Sequence, residues 1–545
     1  MNTRFSKLLL SVVLIVALAM GLLPAVQAQE GKPTYWPTEG WRTSTPEEQG
    51  MDSAALAAFI EQVPTLGAID SLMIVRNGYV VTEVYWHPFQ SGMKREQMSA
   101  SKSIVSALVG IAIDKGYIES VDQKVLDFFP AIEVKNLDAN KQAMTLRDLL
   151  TMTSGLNCDI TQGTDAIGGQ GLGLAGSPLM AADATQVGLN WAVADKPGMT
   201  WRYCQINPYL LSAILTRTTG MDTLTFAQQY LFAPLGITDA GWNVSAEGVA
   251  LGCAGLQLNT QDMAKIGYLF LNNGRWGDAQ VVPADWVRRS LQNYAPQRPW
   301  GIPDVGYGYL WWIYDTPFGG FFEAQGAYFQ HIEVSPEKNL VVAVTGTDMT
   351  YHVDNIGVPA FVEAILQAVK SEEPLPPNPE GVTRLEAAVQ AAANPEPQPV
   401  EALPPLAATI SGKTYRLTNP NLLLAEGDVT RLPKEDWQMA TLRLDFEPDS
   451  ATLTLESESG KSLTVPVGLD GVYRVSSSYV GTLAAQGQWV NDMRFALYLR
   501  RLEQGPVLKY TLDFSDGTFT GTAQSARPGD AFAPDPSVLG GQMLP

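Results

Sequence analysis

Apolar positions fall into short strand-like runs at both ends of the first 370 residues, with helix-like spacing between them. Residues 71–76 and 79–85 are apolar and β-branched, and Asn77-Gly78 joins them. That dipeptide tolerates the positive φ which a two-residue turn needs at both positions, so it predicts an antiparallel hairpin. A helix is predicted from Ser99 to about Lys115, and residues 145–291 read as mostly helical. Strand patterns return at 309–314, 321–324, 330–334 and 340–345, followed by a helix over 358–369. Strands at both ends with helices inserted between them predict one antiparallel sheet plus a helical subdomain.

The pattern then changes twice. Residues 371–408 are rich in proline and alanine around a helical stretch at 382–393, which predicts a stiff, extended linker with few signs of packing. From Ile410 to about Phe532, runs such as 441–446, 451–455 and 509–514 alternate with period two, and glycines mark the turns. This block predicts a β-barrel or sandwich that the first block can fold without. The expected organisation is 1–28 as an export signal, 29–370 as the first domain, 371–408 as linker, and 409–545 as β-domain and tail. A chain of 545 residues is too long for one ordinary core.

Composition narrows the partners. With 46% hydrophobic and 17% charged residues, the chain has the means to bury large cores. Its formal charge of −20 repels phosphate backbones, which argues against nucleic acid. Arg4 and Lys7 precede an apolar run from Leu8 to Leu23, and Val26-Gln27-Ala28 fits a signal-peptidase site. Cleavage after Ala28 and export are expected, leaving no stable membrane span; an uncleaved anchor is the alternative. Three cysteines, Cys158, Cys204 and Cys253, leave one thiol unpaired within the chain, and none sits close enough in sequence to another for a zinc motif.

Ser99-Ala-Ser-Lys102 is a Ser-x-x-Lys motif. Three residues make slightly less than one helical turn, so both side chains share a face. A desolvated lysine there can accept the serine's proton. The same pattern recurs at Ser91–Lys94 and Ser335–Lys338, but only Ser99 opens a strong helix.

The surroundings of Ser99 carry a resemblance. The segment from Met98 to Gly116, the run Thr145-Leu-Arg-Asp-Leu-Leu-Thr-Met-Thr-Ser-Gly-Leu156, Ala233-Pro-Leu-Gly-Ile237 and Asp262-Met-Ala-Lys-Ile-Gly267 together resemble the serine β-lactamase-related family. That family includes class C β-lactamases, D,D-peptidases, esterases and 6-aminohexanoate-dimer hydrolases. The resemblance implies a β-lactamase/transpeptidase-like fold, α/β with an antiparallel sheet and helical subdomain, followed here by an all-β barrel similar to the lipocalin-like barrels of some relatives. It implies Ser99 as nucleophile and Lys102 and Tyr203 as the proton-moving pair. The family's Tyr-x-Asn becomes Tyr203-Cys-Gln205, which keeps an amide on a longer stem. Its cation-x-Gly strand motif falls on Ala324-Gln325-Gly326, so Ala324 lacks the usual cation. Gln205, Gln325 and Gly326 are the implied substrate-binding residues, with Gly326 small so that substrate can approach. The amides of Ser99 and Ala327 would form the oxyanion hole. The same alignment brings Cys158 to Cys204 as the preferred disulfide, leaving Cys253 a buried thiol.

Acyl transfer to water through an acyl-enzyme is therefore expected, on a small ester, amide or peptide, with no cofactor and no metal. A β-lactamase or D,D-peptidase, and a non-catalytic binder on the same scaffold, are the rival readings. Gly171-Leu-Gly-Leu-Ala-Gly176 fits a dinucleotide fingerprint but follows no strand, so a loop over the cleft is expected instead. His87, His331 and His352 are scattered in sequence and near no Gly-x-Ser-x-Gly elbow. The aromatic run around 307–312 is expected to be core or cleft wall.

Overall fold

A computed structural model describes residues 35–66, 69–158, 179, 181–347, 360–419, 433–503, 505, 507–525 and 537–545. The expected export signal, the glycine-rich 171–176 stretch and His352 lie outside the described residues.

The first domain is built on an eight-stranded sheet. Its strands are β1 (Arg42–Thr43), β2 (Ile69–Arg76), β3 (Tyr79–Tyr85), β4 (Val305–Tyr307), β5 (Trp312–Tyr314), β6 (Phe321–Gly326), β7 (Gln330–Ser335) and β8 (Leu340–Gly346), in the order β1-β3-β2-β8-β7-β6-β5-β4. Only β1 pairs in parallel. Asn77 (φ 53°) and Gly78 (φ 80°) both take positive φ, as the β2–β3 hairpin requires. Residues 309–314, read from sequence as one strand, are divided. Leu310 adopts φ 61°, and the Gly308 amide bonds the Trp311 carbonyl at 2.8 Å, so a tight turn joins β4 to β5.

Helices cover this sheet. α1 (Ser53–Leu66) lies in the N-terminal part and α2 (Ser101–Asp114) follows the nucleophile turn. α2 is buried over every residue from Ser101 to Ala112, as expected for a helix that is mostly apolar on all sides. Gly110 lets Trp286 pack on it, since a Cβ there would meet the indole at 2.4 Å. α3 (Ile206–Thr219) and α4 (Thr260–Leu271) complete the frame. Gly267 on α4 plays the same part against β7 and β8, where an added Cβ would lie 2.5 Å from Val341 Cγ1.

The predicted linker is packed. Its helix, α5 (Pro379–Ala393), buries Leu385 and Ala388, pairs Arg384 with Glu61 of α1, and accepts the His87 amide at the Ala392 carbonyl. Few signs of this were legible because the packing uses small alanine and leucine faces.

The C-terminal strands are β9 (Thr414–Leu417), β10 (Met439–Phe446), β11 (Ser450–Ser457), β12 (Ser462–Gly468), β13 (Arg474–Ser478), β14 (Gly481–Asn491), β15 (Arg494–Arg501), β16 (Leu508–Ser515), β17 (Thr518–Ser525) and β18 (Ser537–Met543). Nine of them close a barrel through a β12–β14 pairing at Gly468 and Gln486, and β13 pairs on β14 outside that ring. β18 lies in what the sequence presented as a tail. Its Gly540-Gly541 pair breaks the alternation, and Gly541 is needed because a Cβ would strike Phe519 at 2.2 Å.

The barrel is not simply tethered. Phe89, Tyr85 and Met93 of the first domain share an apolar cluster with Ala484, Leu502, Tyr473 and Val475 of the barrel. The first block and the barrel therefore share a packed interface.

Candidate active site

The nucleophile sits on a single 3₁₀ turn, Met98–Ala100, that leads directly into α2. Met98 has φ 47°, a conformation that side chains rarely take and that persists only where neighbours hold it. Ser99 is half-buried beside a fully buried Lys102. Lys102 Nζ lies 2.8 Å from Ser99 Oγ and donates at 2.7 Å to the Cys253 carbonyl. That second bond fixes the amine on the hydroxyl, the placement a proton acceptor needs. Tyr203 is buried, with its ring centroid 4.8 Å from Lys102 Nζ. The predicted trio is therefore gathered in one place.

Tyr203 is held from two sides. Cys158 and Cys204 form the expected disulfide, with Cα atoms 5.4 Å apart, tying the Tyr203 segment to the end of the Thr-Ser-Gly-Leu run. Trp201, Trp300, Tyr307 and Trp312 surround its ring, with Trp312 stacked at 5.8 Å. Trp300 is 37% exposed, which makes it the solvent edge of this aromatic wall. Burial, with the neighbouring Tyr203 phenol, holds the Tyr307 phenol well above the usual tyrosine range. Cys253 is a buried thiol outside the disulfide, as expected, and its carbonyl is what matters here.

The substrate-binding expectations fare unevenly. Gly326 is buried at the end of β6, but the backbone that approaches it belongs to the nucleophile turn. A Cβ at Gly326 would lie 2.3 Å from the Gln97 carbonyl oxygen and 3.1 Å from the Ala100 nitrogen. Ala327 packs with Met98 and Tyr328, which sets its segment beside the nucleophile turn. Gln325 alternates to the opposite face of β6 from Gly326, with its Nε2 3.5 Å from the Tyr314 hydroxyl. Gln205 precedes α3 and is fully buried, and its Oε1 has no hydrogen-bond partner among the described residues. Ala324 is fully buried and brings no charge.

Sequence reading passed over two clusters. Glu323, His331 and Glu333 meet across β6 and β7, with ligand-type atoms within 4.8 Å of one another and His331 Nδ1 2.9 Å from Glu323 Oε2. Burial, then the neighbouring Glu323, drives the Glu333 carboxyl well above the usual range. The signal was the hairpin register, which pairs Glu323 with Glu333 and Gln325 with His331. The second cluster surrounds Arg95, directly before the nucleophile, and has no sequence motif.

The Beta-lactamase family model matches residues 55–366. A 6-aminohexanoate-dimer hydrolase of Paenarthrobacter ureafaciens is 24% identical over 315 residues, 55% of this chain and 78% of its own length. A Bacillus anthracis protein that carries the name 6-aminohexanoate-dimer hydrolase provisionally has a similar fold, with a TM-score of 0.50 at 17% identity, over 64% of this chain and 92% of that one. An octameric penicillin-binding protein homologue from Pyrococcus abyssi aligns at 17% identity and a TM-score of 0.46, covering 90% of this chain and 100% of its own. With more than half of its length matched by the family model and a buried lysine bonded to the serine that opens α2, the chain belongs to the Beta-lactamase family and is a serine hydrolase.

Proposed function

We propose that the protein is an exported hydrolase that forms an acyl-enzyme on Ser99 and prefers neutral esters or amides to carboxylate-bearing substrates. The observation that carries the acyl-enzyme reading is the 2.8 Å contact between Lys102 Nζ and Ser99 Oγ, with the amine anchored on the Cys253 carbonyl. As Oγ attacks the substrate carbonyl, its proton passes to the Lys102–Tyr203 pair and then to the leaving group. The Ser99 and Ala327 amides take the developing oxyanion. Water reverses the sequence to release the acid. The substrate preference follows from Ala324, which is apolar and buried where relatives of the β-lactamase type carry a cation. A carboxylate left unpaired in a partly dry cleft is costly, and a charge of −20 repels anions at range. Export is supported by the N-terminal pattern and by the Cys158–Cys204 disulfide, since such bonds persist in oxidising compartments.

Side-by-side kinetics on p-nitrophenyl acetate and nitrocefin test the preference. The ester is expected to be the better substrate by kcat/KM. Nitrocefin turnover equal to or above the ester's would show that another cation serves the carboxylate. N-terminal sequencing of the exported chain checks cleavage after Ala28.

A further inference from the structure

The barrel reaches the nucleophile by a short route centred on a buried arginine. Arg95, four residues before Ser99, is 1% exposed. Its guanidinium Nη1 donates to the Leu502 carbonyl at 2.8 Å and to that of Arg501 at 3.4 Å. Nη2 donates to the Gly505 carbonyl at 2.8 Å and to that of Gly346 at 3.0 Å. One side chain therefore fastens the end of β8 and the turn after β15 to the segment that carries the nucleophile. The next residue repeats the link, because the Glu96 amide donates to the Glu503 carbonyl at 2.7 Å. Charge is matched along the route. Asp70 lies between two guanidiniums, paired with Arg500 of β15 and 3.6 Å from Arg95 Nε. Burial pushes the Arg95 guanidinium down to about 10, with Asp70, Glu96 and Glu503 opposing that shift, so it stays charged at neutral pH.

From Arg95 and Glu96 the route divides toward both reacting groups. The Glu96 carboxylate accepts the Gly255 amide at 3.1 Å, two residues from the carbonyl that anchors Lys102. Arg95 and Glu96 pair with Leu258 and Gln257, and the Gln97 amide bonds the Leu256 carbonyl at 2.7 Å. The Gln97 carbonyl in turn accepts the Ala100 amide, closing the turn around Met98 with its positive φ. A strained residue of this kind holds its geometry only when both flanks are over-determined, and one flank is fastened to the barrel.

We propose that Arg95 is a positioning residue for Ser99 and Lys102, and that the barrel turn carrying Arg501, Leu502, Glu503 and Gly505 completes its seat. The barrel thereby supports the geometry of the acylation step. The proposal rests on Ser99 being the acylated residue.

The test uses the full chain with Arg95→Lys, Arg95→Met and Arg500→Met. Three measurements are made: the rate of Ser99 labelling by a fluorophosphonate probe per folded molecule, kcat and KM on p-nitrophenyl acetate, and amide exchange over residues 95–97 and 253–258. Arg95→Lys keeps the charge but cannot reach four carbonyls from one fork. Arg500→Met lies in the barrel and touches neither the nucleophile nor its turn. The expected result is a loss of about tenfold or more in labelling and kcat, with KM within about twofold and faster exchange in both segments. If Arg95→Met does not fold, the other two variants decide. Labelling and kcat within about twofold of wild type in folded Arg95→Lys and Arg500→Met overturn the proposal, as does a loss confined to KM, which would place the barrel against the substrate instead. A wild-type chain that fails to label at Ser99 sinks the acyl-enzyme reading itself, so the two failures are distinguishable.

Discussion

Replacing Gly326 by alanine adds one methyl group to the tightest contact in the site. Its Cβ would stand 2.3 Å from the Gln97 carbonyl oxygen, 3.0 Å from Gln330 Cβ and 3.1 Å from the Ala100 nitrogen. Ordinary contact begins near 3.4 Å, so the carbonyl must retreat by about 1.1 Å. Neither obstacle on the nucleophile side is a flexible side chain. Gln97 is fixed by its own amide on Leu256 and by its side chain on the Arg95 carbonyl at 2.8 Å. The displacement therefore passes into Met98 and Ser99. Misplacing a reacting group by ~1 Å costs roughly 10²-fold in rate, or ~2.7 kcal/mol of barrier. Overpacking should also lower stability by about 1–3 kcal/mol. The assay is kcat/KM on p-nitrophenyl acetate beside a thermal melt of Gly326→Ala. A cooperatively folded variant that keeps wild-type kcat/KM would refute the reasoning, because the turn would then yield without moving Ser99.

Four further outcomes are expected. Ser99→Ala should abolish acyl-enzyme formation, seen by intact mass after a fluorophosphonate, while the melt stays close to wild type; residual turnover at wild-type rate would remove Ser99 from the chemistry. Lys102→Ala and Tyr203→Phe should each slow acylation by roughly 10²–10⁴-fold, and normal stopped-flow rates in both would place the proton path elsewhere. Cys158→Ala with Cys204→Ala opens a link between residues 46 apart; the chain-entropy account gives a loss of about 4 kcal/mol, read as a lower melting temperature, and an unchanged melt would mean the link constrains little. Glu333, facing Glu323, His331 and Tyr314, has its folded carboxyl held above the unfolded value of 4.5. Its contribution to stability is thus fullest below that value and fades as pH rises toward the raised one. Glu333→Gln should gain stability relative to wild type as pH rises above 4.5, and melting curves that stay parallel as pH rises would contradict this.

Much of the architecture was legible where local chemistry is strict. Asn77-Gly78 announced its hairpin because few other pairs accept positive φ twice. Thr145 and Asp148 form a reciprocal capping box, a start signal that the sequence reading did not use. Ser99 and Lys102 were legible because a helical face imposes their spacing. What escaped depends on contacts between segments distant in sequence. Gly326 was read as room for substrate, yet the space is taken by Gln97 and Ala100, over 200 residues earlier. Gln325 was assigned to the cleft from motif position alone, and strand alternation turns it to Tyr314. Arg95 drew no reading from sequence, since its four acceptors are backbone carbonyls that carry no sequence signature.

The placement of β18 sets an order on events in the cell. This last strand, Ser537–Met543, inserts between β9 and β17, the first and the penultimate strands of the barrel. The ring cannot shut until β18 is in place. Every earlier moment leaves two unpaired strand edges and an unclosed core, the condition in which β-proteins aggregate. A chain lacking β18 carries an open barrel, so a strand that lies in what the sequence presented as a tail completes the C-terminal domain.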